Sequence, residues 1–175
     1  MSLEGRKVLI FAAPLYEELE LWYPKIRLEE EGATTTVAGI GDPVYYGKRG
    51  SYPVTVDVHV DSVRAEDFEG LVIPGGFAPD QLRRVPRVLS LTREIFEAGK
   101  PLAFICHAGW VPISAGILRG RRGTSVGAIR DDLVNAGLHW EDAAVVVDGN
   151  LISSRTPADL PAFMKALIAA LGRRG

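Results

Sequence analysis

Four short apolar or β-branched runs, each separated from the next by helix-like sequence, predict a three-layer α/β/α sandwich on a mostly parallel sheet. The runs fall at residues 7–13, 34–38, 71–73 and 102–105. Strands buried on both faces read as continuous apolar stretches, and the first, third and fourth runs do so. A second observation concerns the ends of the last two runs. One stops at Pro74-Gly75-Gly76, the other at Cys106-His107 before a helix-like segment closed by Gly116. Turns of this kind belong at the carboxyl edge of a parallel sheet, where α/β proteins keep their sites. The third observation is size: 175 residues suffice to bury a sizeable core, so the whole chain, 1–175, is expected to form one domain.

Residues 7–13, K-V-L-I-F-A-A, make the first strand. A helix is expected over 17–31, where Pro24 either kinks it or lies near its start, and Gly32 ends it. Residues 34–38 form a β-branched second strand. Residues 41–61 differ from their flanks, with three glycines, two prolines and the alternating run V-T-V-D-V-H-V; they read as short antiparallel strands inserted into the frame. After the strand at 71–73 an amphipathic helix is expected over 86–98, stopped by Gly99. The central strand at 102–105 follows, then the helix-like 108–115. A basic turn at 119–123 leads to a short helix over 129–136. Val145 to Val147 and Leu151 to Ser153 flank Asp148-Gly149-Asn150, a hairpin turn. Thr156 caps a last helix that opens with Pro157 and ends at Gly172.

Apolar residues make up 47% of the chain and charged ones 24%, with a net charge of −2, so nothing electrostatic favours nucleic acid or an acidic membrane. No stretch approaches a membrane span and the N-terminus does not read as a signal peptide. A single cysteine forms no internal disulfide, and a cytoplasmic location is expected.

That cysteine, Cys106, stands where a core strand hands over to a helix. A lone buried cysteine commonly only fills space. Here the following helix start favours a thiolate, and the turn is the kind that presents a nucleophile. His107 is adjacent, but neighbours on a regular element point apart, so it reaches Cys106 only if the turn is irregular. His59 reads as a surface residue and His139 as a weaker alternative base. Gly75 and Gly76 can lend backbone N–H groups to an oxyanion, because no side chain blocks the approach. Glu17, Glu18 and Glu20 lie at the same sheet edge, where carboxylates usually just favour a helix dipole. One of them could also hydrogen-bond the sulfur. The chain has no H-E-x-x-H and no C-x-x-C, so no metal site is expected, and it has no P-loop or G-x-G-x-x-G.

Several stretches in order, E-L-E-L-W-Y-P, L-V-I-P-G-G-x-A-P, G-K-P-x-A-x-I-C-H, I-S-A-G-I-L-R-G-R and S-S-R-T-P-A-D-L, give the chain a resemblance to the DJ-one/ThiJ/PfpI superfamily. It most resembles the PfpI branch of intracellular cysteine peptidases and stress proteins, over roughly residues 7–171. The resemblance implies a flavodoxin-like fold with a nucleophile elbow and no cofactor. It implies that Cys106 is the nucleophile, His107 its partner, Glu20 the glutamate against the sulfur, and Gly75 and Gly76 the oxyanion pocket. Asp80 matches the acidic residue that reaches the histidine of a neighbouring subunit, one methylene shorter than the usual glutamate. A homodimer or a homohexamer built of dimers is implied too. The usual C-H-G-P is replaced by Cys106-His107-Ala108-Gly109-Trp110, so an indole stands at the mouth of the expected site.

The leading functional expectation is a cysteine hydrolase, a peptidase or amidase in which Cys106 attacks a peptide carbonyl. The alternatives use the same sulfur: a stress-protective glyoxalase or deglycase acting on methylglyoxal or glycated groups, or a redox sensor or chaperone whose Cys106 is oxidised to sulfinate beside Glu20. A class I glutamine amidotransferase is a poorer reading, for lack of a downstream histidine-glutamate pair.

Overall fold

The structure is a computed structural model that describes residues 2–173; Met1 and residues 174–175, the ends of the expected 1–175 domain, lie outside it. Its elements run β1 (Lys7–Phe11), α1 (Glu18–Glu30), β2 (Thr34–Gly39), β3 (Val44–Tyr45), β4 (Val54–Thr55), β5 (Val58–His59), β6 (Gly70–Ile73), α2 (Ala78–Leu82), α3 (Pro86–Glu97) and β7 (Leu102–Ile105). Then come α4 (Trp110–Ala115), β8 (Arg122–Gly123), α5 (Arg130–Asn135), β9 (His139–Trp140), β10 (Val145–Asp148), β11 (Leu151–Ser154) and α6 (Leu160–Gly172).

The seven-stranded sheet has the order β10-β11-β7-β6-β1-β2-β5, and every neighbouring pair is parallel except the hairpin β10–β11. The four expected strands lie side by side in it, as β2-β1-β6-β7. From Val8 to Phe11, and throughout β6 and β7, the strand residues are buried, which is why they lack alternation. Burying each large side chain there contributes about 1.5–3 kcal/mol. Two helix layers cover the sheet: α1 packs on α6, and α3 on α4. Among the described residues no helix is long and apolar enough to cross a membrane.

Three local expectations change. Pro24 lies buried in the interior of α1, not near its start, at the cost of the backbone bond to the Glu20 carbonyl. The alternating run at 54–60 is divided. β4 pairs antiparallel with β3 as expected, but β5 joins the main sheet parallel to β2, where Asp57 Oδ2 accepts the Val37 N–H at 2.7 Å. After Thr156 the chain makes a 3₁₀ turn over Pro157–Asp159, and α6 begins only at Leu160. The two-residue pair β8–β9 and the five-residue α2 have no counterpart in the sequence reading.

Candidate active site

β7 ends at Ile105 and the chain turns at once. Cys106 adopts φ 62, a left-handed conformation uncommon for any residue but glycine. It costs roughly 1–2 kcal/mol and breaks the alternation that would point neighbouring side chains apart. His107 Nδ1 accordingly stands 3.2 Å from Cys106 Sγ. The next residues form a 3₁₀ turn, Cys106–Gly109, and the α-helix proper has only six residues, Trp110–Ala115.

Two further segments converge on this elbow. Glu20, in the first turn of α1, has no exposed surface. Its Oε2 accepts the Gly75 N–H at 2.9 Å. A Cβ on Gly75 would lie 2.4 Å from that oxygen and 2.7 Å from Cys106 Cβ, so glycine is required for the three residues to meet. Glu17 caps α1: its buried carboxylate accepts the Glu20 N–H at 2.9 Å and fixes the turn that carries Glu20. Alongside, the backbone of residues 15–17 is clamped between two loops. Glu17 N–H donates to Gly75 O at 3.1 Å and Phe77 N–H to Leu15 O at 2.9 Å; on the other side Lys48 N–H donates to Tyr16 O at 2.8 Å.

Burial pushes the Glu20 carboxyl up to about 8, helped by the Glu17 charge and opposed by the Gly75 N–H, the Lys48 ammonium and the thiol. Burial likewise pushes the Cys106 thiol up to about 12, with the Glu20 charge as second cause; the N–H groups of Gly76 and His107 and the Lys48 ammonium oppose it. The expected lowering by a helix start is outweighed. A dipole contributes at most about 1 kcal/mol at an ordinary helix end, under one pKa unit, and α4 is short. Each of the two anions raises the other, so across the neutral range the pair holds at most one negative charge. Glu20 Oε1 is buried without a hydrogen-bond partner, although the carboxyl is coupled to the thiol. Burial, then the Lys48 charge, lowers the His107 pKa, so at neutral pH the ring is a proton acceptor. The Trp110 indole covers it, ring centroids 5.3 Å apart.

The structure therefore groups Cys106, His107, Glu20, Gly75 and Gly76. Gly75 departs from its expected role: its N–H is engaged by Glu20, and the amides facing the sulfur belong to Gly76 and His107. Asp80 is half-buried in the first turn of α2 and pairs with Arg84 at 2.6 Å. His59 sits at the exposed sheet edge beside Asp61, and His139 is exposed in β9. Among the described residues no group of three or more His, Cys, Asp or Glu is arranged to hold a metal. Lys48 belongs to the site electrostatically; its only mark in the sequence is a basic pair between two glycines, Gly47-Lys48-Arg49-Gly50. A cavity of about 440 Å³ opens on the outer side of the first turn of α1, lined by Glu17, Glu18, Trp22, Arg49 and Tyr52 among others, and none of the grouped residues lines it.

The family model described as DJ-1/PfpI family matches residues 6–170. Deglycase PfpI of Pyrococcus furiosus is 46% identical over 165 residues, covering 94% of this chain and 99% of that protein. General stress protein 18 of Bacillus subtilis is 38% identical over 169 residues, covering 95% and 98%. Among solved structures, a two-domain protein from Anabaena variabilis with DJ-1/ThiJ/PfpI-like and ferritin-like domains aligns with a TM-score of 0.94 at 39% identity, over 98% of this chain and 49% of that one. The match to the family runs from the first strand into the last helix and leaves no part of the central parallel sheet outside it, so the chain belongs to the DJ-1/PfpI family.

Proposed function

We propose that the protein is a cysteine-dependent deglycase or glyoxalase acting on small carbonyl compounds, with Cys106 as nucleophile. The observation that carries this reading is the buried Cys106–Glu20 pair at the end of β7, with His107 Nδ1 3.2 Å from the sulfur and placed to take up the thiol proton. Once His107 takes that proton, counting donors keeps the charge on sulfur. A thiolate has the N–H groups of Gly76 and His107 and, from a protonated Glu20, an O–H; a Glu20 carboxylate has the Gly75 N–H and the thiol. The name of the relative Deglycase PfpI supports the same class.

The chemistry balances without a cofactor. The Cys106 sulfur adds to the aldehyde carbon of a 2-oxoaldehyde, and the new alkoxide, facing the Gly76 and His107 amides, takes up a proton. His107 moves a proton from that carbon to the neighbouring carbonyl system. The first carbon is oxidised to a thioester and the second reduced to an alcohol. Water then releases a 2-hydroxy acid and restores the thiol, so methylglyoxal plus water gives lactate. A peptidase is the less supported reading, because its triad needs Asp80 to leave Arg84 and reach the His107 of another copy.

Copies are expected to pair, as a homodimer or a homohexamer of dimers. The support is a set of exposed apolar side chains, Leu19, Ile26, Tyr46, Tyr52 and Phe77, on α1 and its flanking loops. Sedimentation showing a monomer at micromolar concentration would remove both the pairing and any intersubunit role for Asp80. The deciding assay runs purified protein on methylglyoxal and on a peptide, with Cys106→Ala as control. Turnover of methylglyoxal that is lost in the variant is expected; turnover of the peptide alone overturns the assignment.

A further inference from the structure

The residues placed around Cys106 are acids, a histidine and glycines, yet the nearest loop carries a cation with no assigned task. Lys48 follows Gly47, whose backbone pairs in parallel with Tyr16, while Tyr16 pairs on its other side with Gly76. The Lys48 N–H is held by Tyr16 O at 2.8 Å, and the Arg49 N–H by Glu18 Oε1 at 2.9 Å. Gly47 is buried against the Glu18 carboxyl: a Cβ there would come within 2.3 Å of it, so the loop cannot be lifted outward by a larger residue without displacing Glu18. Three backbone segments in register, 75–77, 15–17 and 46–48, thus fix the root of Lys48 one segment away from the turn that faces the sulfur, across residues 15–17. Its side chain is exposed and has no ion pair or hydrogen bond among the described residues. The influence of its ammonium on Glu20, Cys106 and His107 accords with that placement of the root.

We propose that Lys48 is a specificity determinant of this site, binding the carboxylate of small carbonyl substrates as they approach Cys106. The acidic groups nearby do not pair with it. Glu17 is buried beneath, turned to the Glu20 N–H; Glu18 is turned to the Arg49 N–H; Glu20 stays protonated into the neutral range. An unpaired cation on a fixed root at the approach to a nucleophile that carries negative charge on reaction offsets the repulsion an anionic substrate would otherwise meet. The preferred substrate class is then a 2-oxoaldehyde bearing a carboxylate, such as 4,5-dioxopentanoate, which with one water gives 2-hydroxyglutarate.

The substrate half of this inference rests on the deglycase or glyoxalase reading; the electrostatic half does not, and two readouts separate them. The first is alkylation of Cys106 by iodoacetate and by iodoacetamide in the wild type, Lys48→Met and Lys48→Arg. Any change in thiol activation alters both rates together, so their ratio reports only the pull on the reagent's charge. At ion-pair range near a protein surface, one charge is worth roughly a tenfold change in rate. Lys48→Met is expected to lower the iodoacetate-to-iodoacetamide ratio by about that factor at low salt, and Lys48→Arg to keep it. The second readout is the ratio of kcat/KM for 4,5-dioxopentanoate to that for methylglyoxal, expected to fall by a similar factor in Lys48→Met. An alkylation ratio or a kcat/KM ratio that is unchanged in Lys48→Met overturns the proposal. If the wild type turns over neither oxoaldehyde, the deglycase or glyoxalase reading fails, and the alkylation ratio alone decides the role of Lys48.

Discussion

Glu20 can donate a hydrogen to sulfur only if it keeps its proton at neutral pH, and that condition leaves a mark on folding stability. In a Cys106→Ala background the thiol no longer competes for charge, and burial with the Glu17 charge raises Glu20 against the Gly75 N–H and the Lys48 ammonium. Its native pKa of about 8 lies above the ordinary 4.5. Below 4.5 both native and unfolded chains hold the proton and nothing is lost. Between 4.5 and about 8 the unfolded chain has released it while the native chain retains it, so stability falls as pH rises through that window. At about 1.4 kcal/mol per pKa unit, the loss between roughly pH 5 and pH 8 comes to about 3 kcal/mol. Glu20→Gln has no proton to hold and removes the slope. Urea unfolding of Cys106→Ala and of Cys106→Ala/Glu20→Gln, at several pH values across the window, measures this directly. The double variant is expected to gain about 3 kcal/mol on the single one between the two ends. Parallel curves would mean that Glu20 is ionised in the native protein, and the donor argument would be wrong.

Because burial holds the Cys106 thiol up to about 12, ultraviolet absorbance should show no thiolate up to pH 9 in the wild type, with His107 taking the proton at the moment of attack; a thiolate band at neutral pH would show that the donors around the sulfur outweigh its burial. Gly75→Ala drives a Cβ to 2.4 Å from Glu20 Oε2 and should cost about 1–3 kcal/mol by thermal unfolding, along with activity; a variant equal to wild type in both would show that the cluster is not packed as described. Trp110→Ala uncovers His107, and because burial is what lowers that imidazole, its pKa should rise towards 6.5 in an NMR titration; no movement would mean that the indole does not contribute to the burial.

The frame was legible because it depends on contiguous residues. The apolar runs of β1 after Lys7, β6 and β7 announce themselves, and so do the glycine stops at 99 and 116, which take φ 72 and 75. Elements of two residues, such as β8, β9 and β5, carry no period to read, and β5 was misassigned because alternation alone cannot name its partner. The elbow was legible as a strand end with a cysteine, but its electrostatics were not. The bond from Gly75 to Glu20 joins residues 55 apart, and the burial that raises both acids is a property of the assembled core. Lys48 was invisible for the same reason: only the pairing of residues 46–48 with 15–17 brings it to the site.

The strand order has a consequence for how copies of this chain can meet. An open sheet offers two rows of unpaired backbone groups to any other chain, and extended rows invite endless edge-to-edge growth. Here one rim is β5, two residues long and running straight into a 3₁₀ turn at Val60–Ser62. The other is β10, a four-residue strand that ends on the charged side chain of Asp148. Neither rim is long enough to template a further strand. Contacts between copies are then left to side chains, not to strand edges.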